Sequence, residues 1–462
     1  MQIGKKRMLI VYFFGITLLM FSIMLPEALY EKCILLNGPQ GMDKTVVQLK
    51  LTGRMNGKLT PAGIKKVAKE LDTAAYTYTA VNPLLTVNLK SNLLAVNAKI
   101  TGTNSRLPEF RKMDFMEGSF FTGAAETEDR NVAVIDDALA WNLFRTYKAV
   151  GKTIEINGQK FKVTGIFKRD RSVIGKLCRD ELPEVLMPAQ KLFNIDKNAR
   201  IISLQFAVNA ESTMDGAANE IERTLLASGL NKDEFIIEEY KMESALLKQT
   251  PQIIVFLLGC FIILLFAGGS IRTVRAIMAH FRSNCRNNDV FKVIAENWYY
   301  PARESVKVIV WIAAGIAIFT AIRFKLFIPL QYIPEELTDI SFFLNMIGSG
   351  IQEGLQGQLY VKDSTALILE CTRFLSGITA FPAAIAGIFS INLSLHVLAK
   401  YFSLSRLTLF SGIIASISFA AAAVSAEALG LVLSLNIVHV LVVWAFIYVI
   451  LQNKKYKTEG MN

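Results

Sequence analysis

The chain has 462 residues, of which 52% are hydrophobic and 19% are charged, and its mean hydropathy is +0.37. Long uncharged runs give this composition, which is too apolar for an ordinary soluble enzyme and indicates a protein that crosses a membrane several times. A net charge of +11 would suggest nucleic-acid binding in a soluble protein. Here the basic residues flank apolar runs, so the expected partner is the lipid bilayer and nucleic acid is excluded.

The first apolar run, residues 8–24, follows three basic residues and is typical of a membrane span. A cleaved signal peptide shares this pattern, but no A-x-A cleavage site follows and further apolar runs do. The sequence therefore favours an uncleaved first helix, residues 1–29, with its N-terminus in the cytoplasm.

Residues 30–250 contain no spanning run and mix strand and helix patterns, which predicts an α/β domain. Its clearest element is a β-hairpin at residues 151–168, where polar and apolar residues alternate around Asn157-Gly158. This dipeptide favours a type I′ turn because both positions take a positive φ. Other strands are expected at residues 45–51, 84–89, 93–100, 132–135, 184–187, 201–208 and 234–238, and helices at 61–71, 137–144 and 214–226.

Five further apolar runs predict about six transmembrane helices in all; they are residues 253–269, 308–322, 374–398, 407–424 and 431–451, with Pro382 as a kink. The loop after the second run holds seven basic residues, which places it in the cytoplasm, together with both termini. The predicted domains are then 30–250 outside, 251–327 with helices 2 and 3 and a cytoplasmic loop at 273–304, 328–373 outside, 374–451 with helices 4–6, and a cytoplasmic tail at 452–462. Within the outer loop, residues 340–351 fit a helix lying on the membrane surface.

No residue pattern in the sequence indicates a catalytic, cofactor-binding or metal-ligating site. Gly151-Lys152-Thr153 resembles the end of a P-loop, but residue 146 is Thr where the motif needs Gly, and the tripeptide opens a strand rather than a helix. Cys33 and Cys178, both in the outer region, can form a disulfide or remain free thiols, and nothing in the sequence requires the bond. Glu370 and Arg373 share a helical face and predict an ion pair at the membrane boundary, with a gate or substrate contact as the alternative.

Four segments between residues 113 and 168 occur in the order seen in one protein family. They are Phe-x-x-Gly-x-Phe-Phe at 115–121, Asn-Val-Ala-Val-Ile at 131–135, Ala-x-x-Leu-Phe at 140–144 and Val-Gly-Lys-Thr-Ile-x-Ile-Asn-Gly-x-x-Phe-x-Val-x-Gly-Ile at 150–166. Together they resemble the periplasmic core domain of MacB-like ABC transporter permeases, which also carry an FtsX-like membrane region. The resemblance implies a bacterial plasma-membrane protein with this domain between helices 1 and 2.

The resemblance also implies a cytoplasmic segment that couples the permease to an ATPase. The corresponding residues here are Arg286, Asp289, Val290 and Ala295. The segment departs from the family pattern at two glycine positions, which are Phe291 and Glu296. Helices 5 and 6 lie outside the family's four-helix core.

The function implied is a non-catalytic permease subunit that couples a separate cytoplasmic ABC ATPase to the outer domain, to export or extract a peptide, lipid or lipopeptide. A second permease copy or a related permease would complete the complex. The alternative is a non-transporting signalling or scaffold protein that regulates an extracellular partner such as a cell-wall hydrolase, and the altered coupling segment favours it slightly.

Overall fold

The computed structural model describes the chain from residue 2 to residue 459, except residues 51–58, 74, 83–86, 92–93, 179–181, 208–213, 285–297, 330–332, 334–340, 342–361 and 434–435. The chain forms two compact units. The helical unit comprises Met1–Ala28, Lys248–Leu326 and Leu375–Asn462, and the sheet unit comprises Leu29–Leu247 and Phe327–Phe374. The predicted surface helix at 340–351 lies almost wholly outside the described residues.

The sheet unit is built on a mixed sheet whose described strands are, as β1 to β11, Lys44–Leu49, Tyr76–Val81, Val87–Ser91, Leu94–Thr103, Asp114–Gly118, Val132–Asp136, Thr153–Ile156, Gln159–Lys168, Glu184–Pro188, Arg200–Ala207 and Phe235–Glu239. Their order is β11-β1-β10-β2-β4-β3-β7-β8-β6-β9, and β5 pairs with β8. A parallel β4–β9 pairing closes six of these strands, β4-β3-β7-β8-β6-β9, into a ring. The sheet therefore combines a closed part with an open extension that ends at β11.

The helices of the chain, α1 to α14 in the described residues, are Gln2–Leu36, Pro61–Glu70, Leu107–Phe110, Gly123–Thr127, Asp137–Phe144, Val173–Leu177, Ala189–Ile195, Met214–Ala227, Tyr240–Asn284, Tyr299–Ile322, Ser364–Thr379, Phe381–Leu398, Leu404–Ala428 and Ile437–Glu459. A short 3₁₀ turn, Lys232–Glu234, precedes β11. Thr60 caps α2 by accepting a hydrogen bond from the Gly63 N–H at 3.1 Å, and Pro61 occupies the first turn, where it has no N–H to leave unpaired.

The hairpin at β7–β8 has the predicted two-residue turn, with φ of 47° at Asn157 and 80° at Gly158. Its inward side chains, such as Ile154 and Phe161, are fully buried in the core of the sheet unit. Asp136 caps α5, because its side chain accepts a hydrogen bond from the Leu139 N–H at 2.7 Å. The hairpin thus supplies one wall of the core rather than an exposed arm.

Two strands were not predicted, β2 and β5. β2 (YTYTAV) is rich in aromatic and β-branched residues, a signal typical of a strand, and it lies centrally between β10 and β4. The next two strands, expected at 84–89 and 93–100, extend further in the structure, where they end at Ser91 and Thr103.

Five helical segments in the described chain are long and apolar enough to cross a membrane; they are Lys6–Leu36, Tyr240–Ser283, Tyr299–Ile322, Ser364–Leu398 and Ser405–Ala428. A sixth apolar segment, Ile437–Asn453, is shorter and starts six residues after the predicted start at 431. Near the predicted kink, α11 ends at Thr379 and α12 begins at Phe381, with Pro382 in its first turn. The helix is interrupted there because the proline ring would clash with the preceding turn of a continuous helix and would remove one of its backbone hydrogen bonds.

Within the helical unit, α1 and α12 approach closely through glycines. A Cβ on Gly15 would lie 2.9 Å from the Ile391 nitrogen, and one on Gly387 would lie 2.9 Å from the Gly15 oxygen. Hydroxyl pairs then join α1 to α13, with 2.5 Å between the Tyr12 and Ser411 oxygens. Small residues and hydroxyls are the usual means of packing helices in lipid.

Candidate functional site in the sheet unit

The sheet unit contains a cavity of about 130 Å³ with a charged wall and an apolar wall. Its basic lining residues are Lys99, Arg111, Lys112, Lys168 and Arg169, and its acidic ones are Asp114, Asp170 and Glu184. Its apolar lining includes Leu36, Phe167, Leu182, Leu367 and Ile368. Five basic groups against three acidic groups leave a formal excess of two positive charges, beside hydrocarbon.

A bidentate ion pair forms part of this charged wall. The Arg111 guanidinium donates to both carboxylate oxygens of Glu184, at 3.2 and 2.8 Å. Burial alone would raise the pKa of Glu184, but Arg111 outweighs it and the net pKa is lowered. The two groups are therefore held charged and fixed in orientation, since a bidentate guanidinium–carboxylate pair allows little rotation.

A second buried carboxylate, Asp136, connects three elements beside this pair. It caps α5, accepts a hydrogen bond from the Glu184 N–H at 2.7 Å, and accepts one from Arg169 Nε at 2.6 Å. Burial raises the pKa of Asp136, and Arg169 partly offsets that effect. Arg169 also donates to the Leu182 carbonyl at 2.7 Å, so the start of β9 is fixed against the end of β8.

A third polar cluster surrounds Asp363, which precedes α11. Asp363 accepts hydrogen bonds from Gln205 Nε2 at 2.9 Å, from the Thr365 hydroxyl at 2.8 Å and from the Ala366 N–H at 2.8 Å. Asp363 is 4% exposed although its neighbourhood in the sequence is an acidic loop. The cluster ties the start of α11 to β10 in the middle of the sheet.

Lys44, the first residue of β1, is completely buried near this cluster. Its ammonium group donates to the Phe110 carbonyl at 2.9 Å and lies 5.2 Å from the centre of the Tyr240 ring. Burial lowers the pKa of Lys44 to about 7, and the charge of Asp363 opposes this shift. A lysine in this setting changes its charge near neutral pH.

Two cysteines meet at the edge of the cavity. The Cys178 thiol donates to the carbonyl of Leu367, a residue one turn before Cys371 on α11, at 3.2 Å. Burial raises the pKa of the Cys178 thiol. Cys33 and Cys178, the pair considered from the sequence, are both free thiols in the structure.

The residues singled out from the sequence have different outcomes. Arg286, Asp289, Val290 and Ala295 lie outside the described residues. Glu370 and Arg373 do not pair with each other: Glu370 contacts Lys362 at 2.7 Å, and Arg373 contacts Glu243 on α9 at 2.5 Å. A pair three residues apart on one helix contributes only about 0.2–0.5 kcal/mol, so partners offered by other segments displace it.

The groups that form the cavity wall were missed in the sequence. Arg111 and Glu184 are 73 residues apart, and neither lies in a motif. Among the described residues, no group of three or more His, Cys, Asp or Glu side chains is arranged to hold a metal ion. The arrangement can bind an anionic group beside an apolar one.

Part of the sheet unit matches a known family model. Residues 37–224 match the family model described as the MacB-like periplasmic core domain. This range contains the segments at 113–168, so the resemblance drawn from them is confirmed. The comparison with curated proteins gives no match.

Solved structures of 11–16% identity are also similar. The extracellular domain of the noncanonic ABC-type transporter YknZ from Gram-positive bacteria is 16% identical, with 42% of this chain and 99% of that chain covered and a TM-score of 0.35. The periplasmic region of MacB from Actinobacillus actinomycetemcomitans is 16% identical, with 44% and 90% covered and a TM-score of 0.36. A domain of a putative permease protein from Porphyromonas gingivalis is 11% identical, with 43% and 90% covered and a TM-score of 0.30.

Proposed function

From the premise that this chain carries a MacB-like periplasmic core domain beside membrane-length helices, as ABC transporter permeases do, we propose that it is the non-catalytic permease subunit of such a transporter. A separate cytoplasmic ATPase would supply the energy, and a second permease copy or a related permease would complete the assembly. Both termini and the 273–304 loop would face the cytoplasm of a bacterial cell, because that loop carries the densest cluster of basic residues.

The position of the domain in the chain carries this proposal. The core-domain match begins at residue 37, directly after the apolar segment Lys6–Leu36, and ends before the apolar segment Tyr240–Ser283. A domain inserted between the first two spans lies on the opposite side of the membrane from the basic loop that follows the second. This arrangement suits a protein that converts a cytoplasmic event into movement outside the membrane.

Movement of this kind needs stiff connections along the chain, and two long helices supply them. The division between the units falls inside α1, after Ala28, and inside α9, after Leu247. Both helices are continuous through these points, and α9 is continuous through Pro251 as well.

The cavity in the sheet unit supports an amphiphilic substrate. Its excess of basic groups fits a carboxylate or phosphate, and the apolar residues Phe167 and Ile368 fit an attached hydrocarbon group. A volume of about 130 Å³ holds the end of a molecule rather than the whole of it. We therefore assign it to the anionic end of a peptide, lipid or lipopeptide.

The decisive experiment is purification of the full-length protein in mild detergent from its native host, followed by mass spectrometry of the proteins that accompany it. We expect an ABC ATPase in near-stoichiometric amount. Alanine substitutions at Asp289 and Val290 should reduce its recovery several-fold, since these residues correspond to the family's coupling segment. Lys400→Ala, an exposed basic residue on the short loop between α12 and α13, is the control and should leave recovery unchanged.

The outcome also separates the alternative function. Absence of any ATPase under gentle conditions would contradict the permease assignment and would favour a signalling or scaffold protein with an extracellular partner. Equal ATPase recovery from all variants would retain the permease and reject the 286–295 segment as the docking site.

A further inference from the structure

The helical unit contains a second and larger cavity, of about 470 Å³, which the transport proposal does not use. It lies between α9, α10 and α14. Its volume is about three times that of an apolar cavity that accommodates benzene, ~150 Å³, and falls within the ~300–1,000 Å³ range of small-molecule sites. A space of this size between membrane-length helices calls for an occupant.

The cavity is apolar at one end and polar at the other. On α9 its lining runs from Leu265 past Arg272 to Ala276, and on α10 it runs from Ala314 back to Glu304. Eleven residues of helix rise roughly 16 Å and ten residues roughly 15 Å. These lengths match a phosphate-containing headgroup together with the first part of an acyl chain.

Arg272 supplies the charge at the polar end. Its Nε donates to the Gly268 carbonyl at 3.2 Å and its Nη2 to the Asn453 side-chain oxygen at 3.3 Å. The other charged lining residue, Glu304, is paired with Lys307 at 2.5 Å. Arg272 therefore keeps a net positive charge and spare N–H donors at this end of the cavity. A phosphate group is attracted by the charge and can accept hydrogen bonds from these N–H groups.

The apolar end is shaped by Trp311. A Cβ on Gly269 would lie 2.9 Å from the Trp311 ring, so the absence of a side chain at position 269 allows the indole to pack closely against α9. Leu265 and Ala314 extend this surface away from Arg272. Aromatic residues at the level of the headgroups, with aliphatic ones beyond, are typical of the boundary between the polar and hydrocarbon layers of a membrane.

We propose that this cavity binds one phospholipid, with its phosphate on Arg272 and one acyl chain along Trp311 and Leu265. Arg272, Arg275 and Arg282 lie toward the C-terminal end of α9, and this basic cluster assigns the polar end of the cavity to the cytoplasmic leaflet. A soluble anion would satisfy Arg272 but would leave the aliphatic wall uncovered. A phospholipid covers both ends, and its site does not depend on whether an ATPase docks to the chain.

The test is native mass spectrometry of the full-length, delipidated protein titrated with phosphatidylglycerol. We expect one molecule to be retained at activation energies that strip the others. Arg272→Gln should weaken this binding about tenfold or more, because it removes a charge-assisted bidentate contact. The matched control is Arg275→Gln, an exposed arginine three residues further along α9 that does not line the cavity; binding should be unchanged.

A second pair of variants tests the apolar end without changing charge. Ala314→Leu should fill the cavity and abolish retention, whereas Ala313→Leu, at the neighbouring exposed position, should not. Glycerol 3-phosphate in excess should fail to displace the lipid, since it lacks the acyl chain. Thermal midpoints of all four variants establish that they are folded.

Three results would overturn the proposal: no retained phosphatidylglycerol, equal weakening by Arg272→Gln and Arg275→Gln, or retention that is unaffected by Ala314→Leu. Displacement by glycerol 3-phosphate as effectively as by lipid would also overturn it, because the site would then recognise a soluble phosphate.

Discussion

The two units of this protein handle buried polar groups in different ways. In the sheet unit, buried charges pair across long stretches of chain, as Arg111 does with Glu184 and Arg169 does with Asp136. In the described part of the helical unit, hydroxyl pairs join helices in the core, as in Tyr12–Ser411 and Thr17–Ser418. In the sheet unit, ion pairs fix the relative orientation of the strands. In the helical unit, small residues such as Gly15 let the helices approach each other closely.

This contrast follows from what surrounds each unit. In a folded domain, the desolvation cost of a buried charge can be offset by one oppositely charged partner that also forms hydrogen bonds with it. In the hydrocarbon core of a bilayer, burying a charge costs several kcal/mol in any orientation of the side chain. A hydroxyl group can donate a hydrogen bond to a backbone carbonyl of its own helix, as Ser411 does to Leu407 at 2.6 Å. Burying the hydroxyl then costs little free energy. The predictions below test this division, from the largest effect to the smallest.

Removing one partner of the central ion pair should have the largest effect. Arg111→Met leaves the Glu184 carboxylate buried without its partner, and should lower the free energy of unfolding by about 4 kcal/mol. The double variant Arg111→Met/Glu184→Met should recover most of the loss. Denaturant unfolding of the full-length protein, followed by hydrogen exchange of β9, measures both.

The control for this prediction is Arg130→Met, which breaks an exposed pair with Glu128 and should cost less than about 1 kcal/mol. If the two single variants proved equally mild, charge pairing would not be what orders the sheet unit.

Lys44 should give the sheet unit an unusual pH dependence. Burial lowers its pKa from 10.5 to about 7 in the folded state, so between these values the unfolded chain binds a proton that the folded chain does not. The free energy of unfolding therefore rises with pH in this window, by up to about 1.4 kcal/mol per unit. Relative to Lys44→Met, the wild type should gain about 2 kcal/mol between pH 7 and pH 9, since Lys44 is still half protonated in the folded state at pH 7.

Thermal midpoints of wild type and Lys44→Met at the two pH values give this difference directly. Lys65→Met, at an exposed position of α2, should show no such change relative to wild type. A wild-type curve parallel to that of Lys44→Met would mean that Lys44 stays charged when buried.

In the helical unit, bulk rather than charge should matter. Gly387→Val places a side chain against the α1 backbone at Gly15 and Leu19, and should destabilise the unit by about 2 kcal/mol. Gly377→Val is the matched control, because nothing lies within 4 Å of a Cβ at that position. Thermal midpoints in detergent that fall equally for both would point to the cost of valine in a helix instead of a close approach.

The smallest expected effect comes from oxidising the cysteine pair. With oxidised glutathione, the Cys178 and Cys371 thiols should form a disulfide, passing two electrons and two protons to glutathione disulfide to give two glutathione thiols. The reaction should be slow, because burial raises the pKa of Cys178 and depletes its thiolate. The link should add about 1–2 kcal/mol to stability, because newly formed disulfides often deliver less than the loop-closure entropy of the unfolded chain predicts.

Peptide mapping under non-reducing conditions identifies the bond, and Cys371→Ser should abolish it whereas Cys33→Ser should not. A Cys33–Cys178 bond, the possibility left open by the sequence, would contradict the arrangement seen in the structure.

Local signals made part of this fold predictable. The Asn157-Gly158 turn, the Thr60 and Asp136 caps and the apolar runs each depend on residues close together in sequence, and each is present in the structure. The family resemblance likewise rested on a continuous stretch. What these signals share is that a few neighbouring residues determine the backbone conformation.

The candidate site was not predictable because its parts meet only through the sheet topology. Lys44 belongs to a strand whose alternating pattern indicates one exposed face, yet all six residues of β1 are buried. Asp363 lies in an acidic loop, which normally indicates solvent. Glu370 and Arg373 were paired by helical spacing, and the structure gives each a partner that no local pattern identifies.

The position of β1 inside the sheet also has a consequence for synthesis. β1 pairs on one side with β10 and on the other with β11. Neither edge of β1 can therefore pair until these strands, which come much later in the chain, have been synthesised. Roughly 150 residues separate Leu49 from Arg200, which at a translation rate of about 5–20 residues per second is a delay of roughly 8–30 s. Throughout that interval the nascent strand exposes two unpaired edges beside a newly inserted helix. A factor that shields it should therefore be needed early, before β10 emerges.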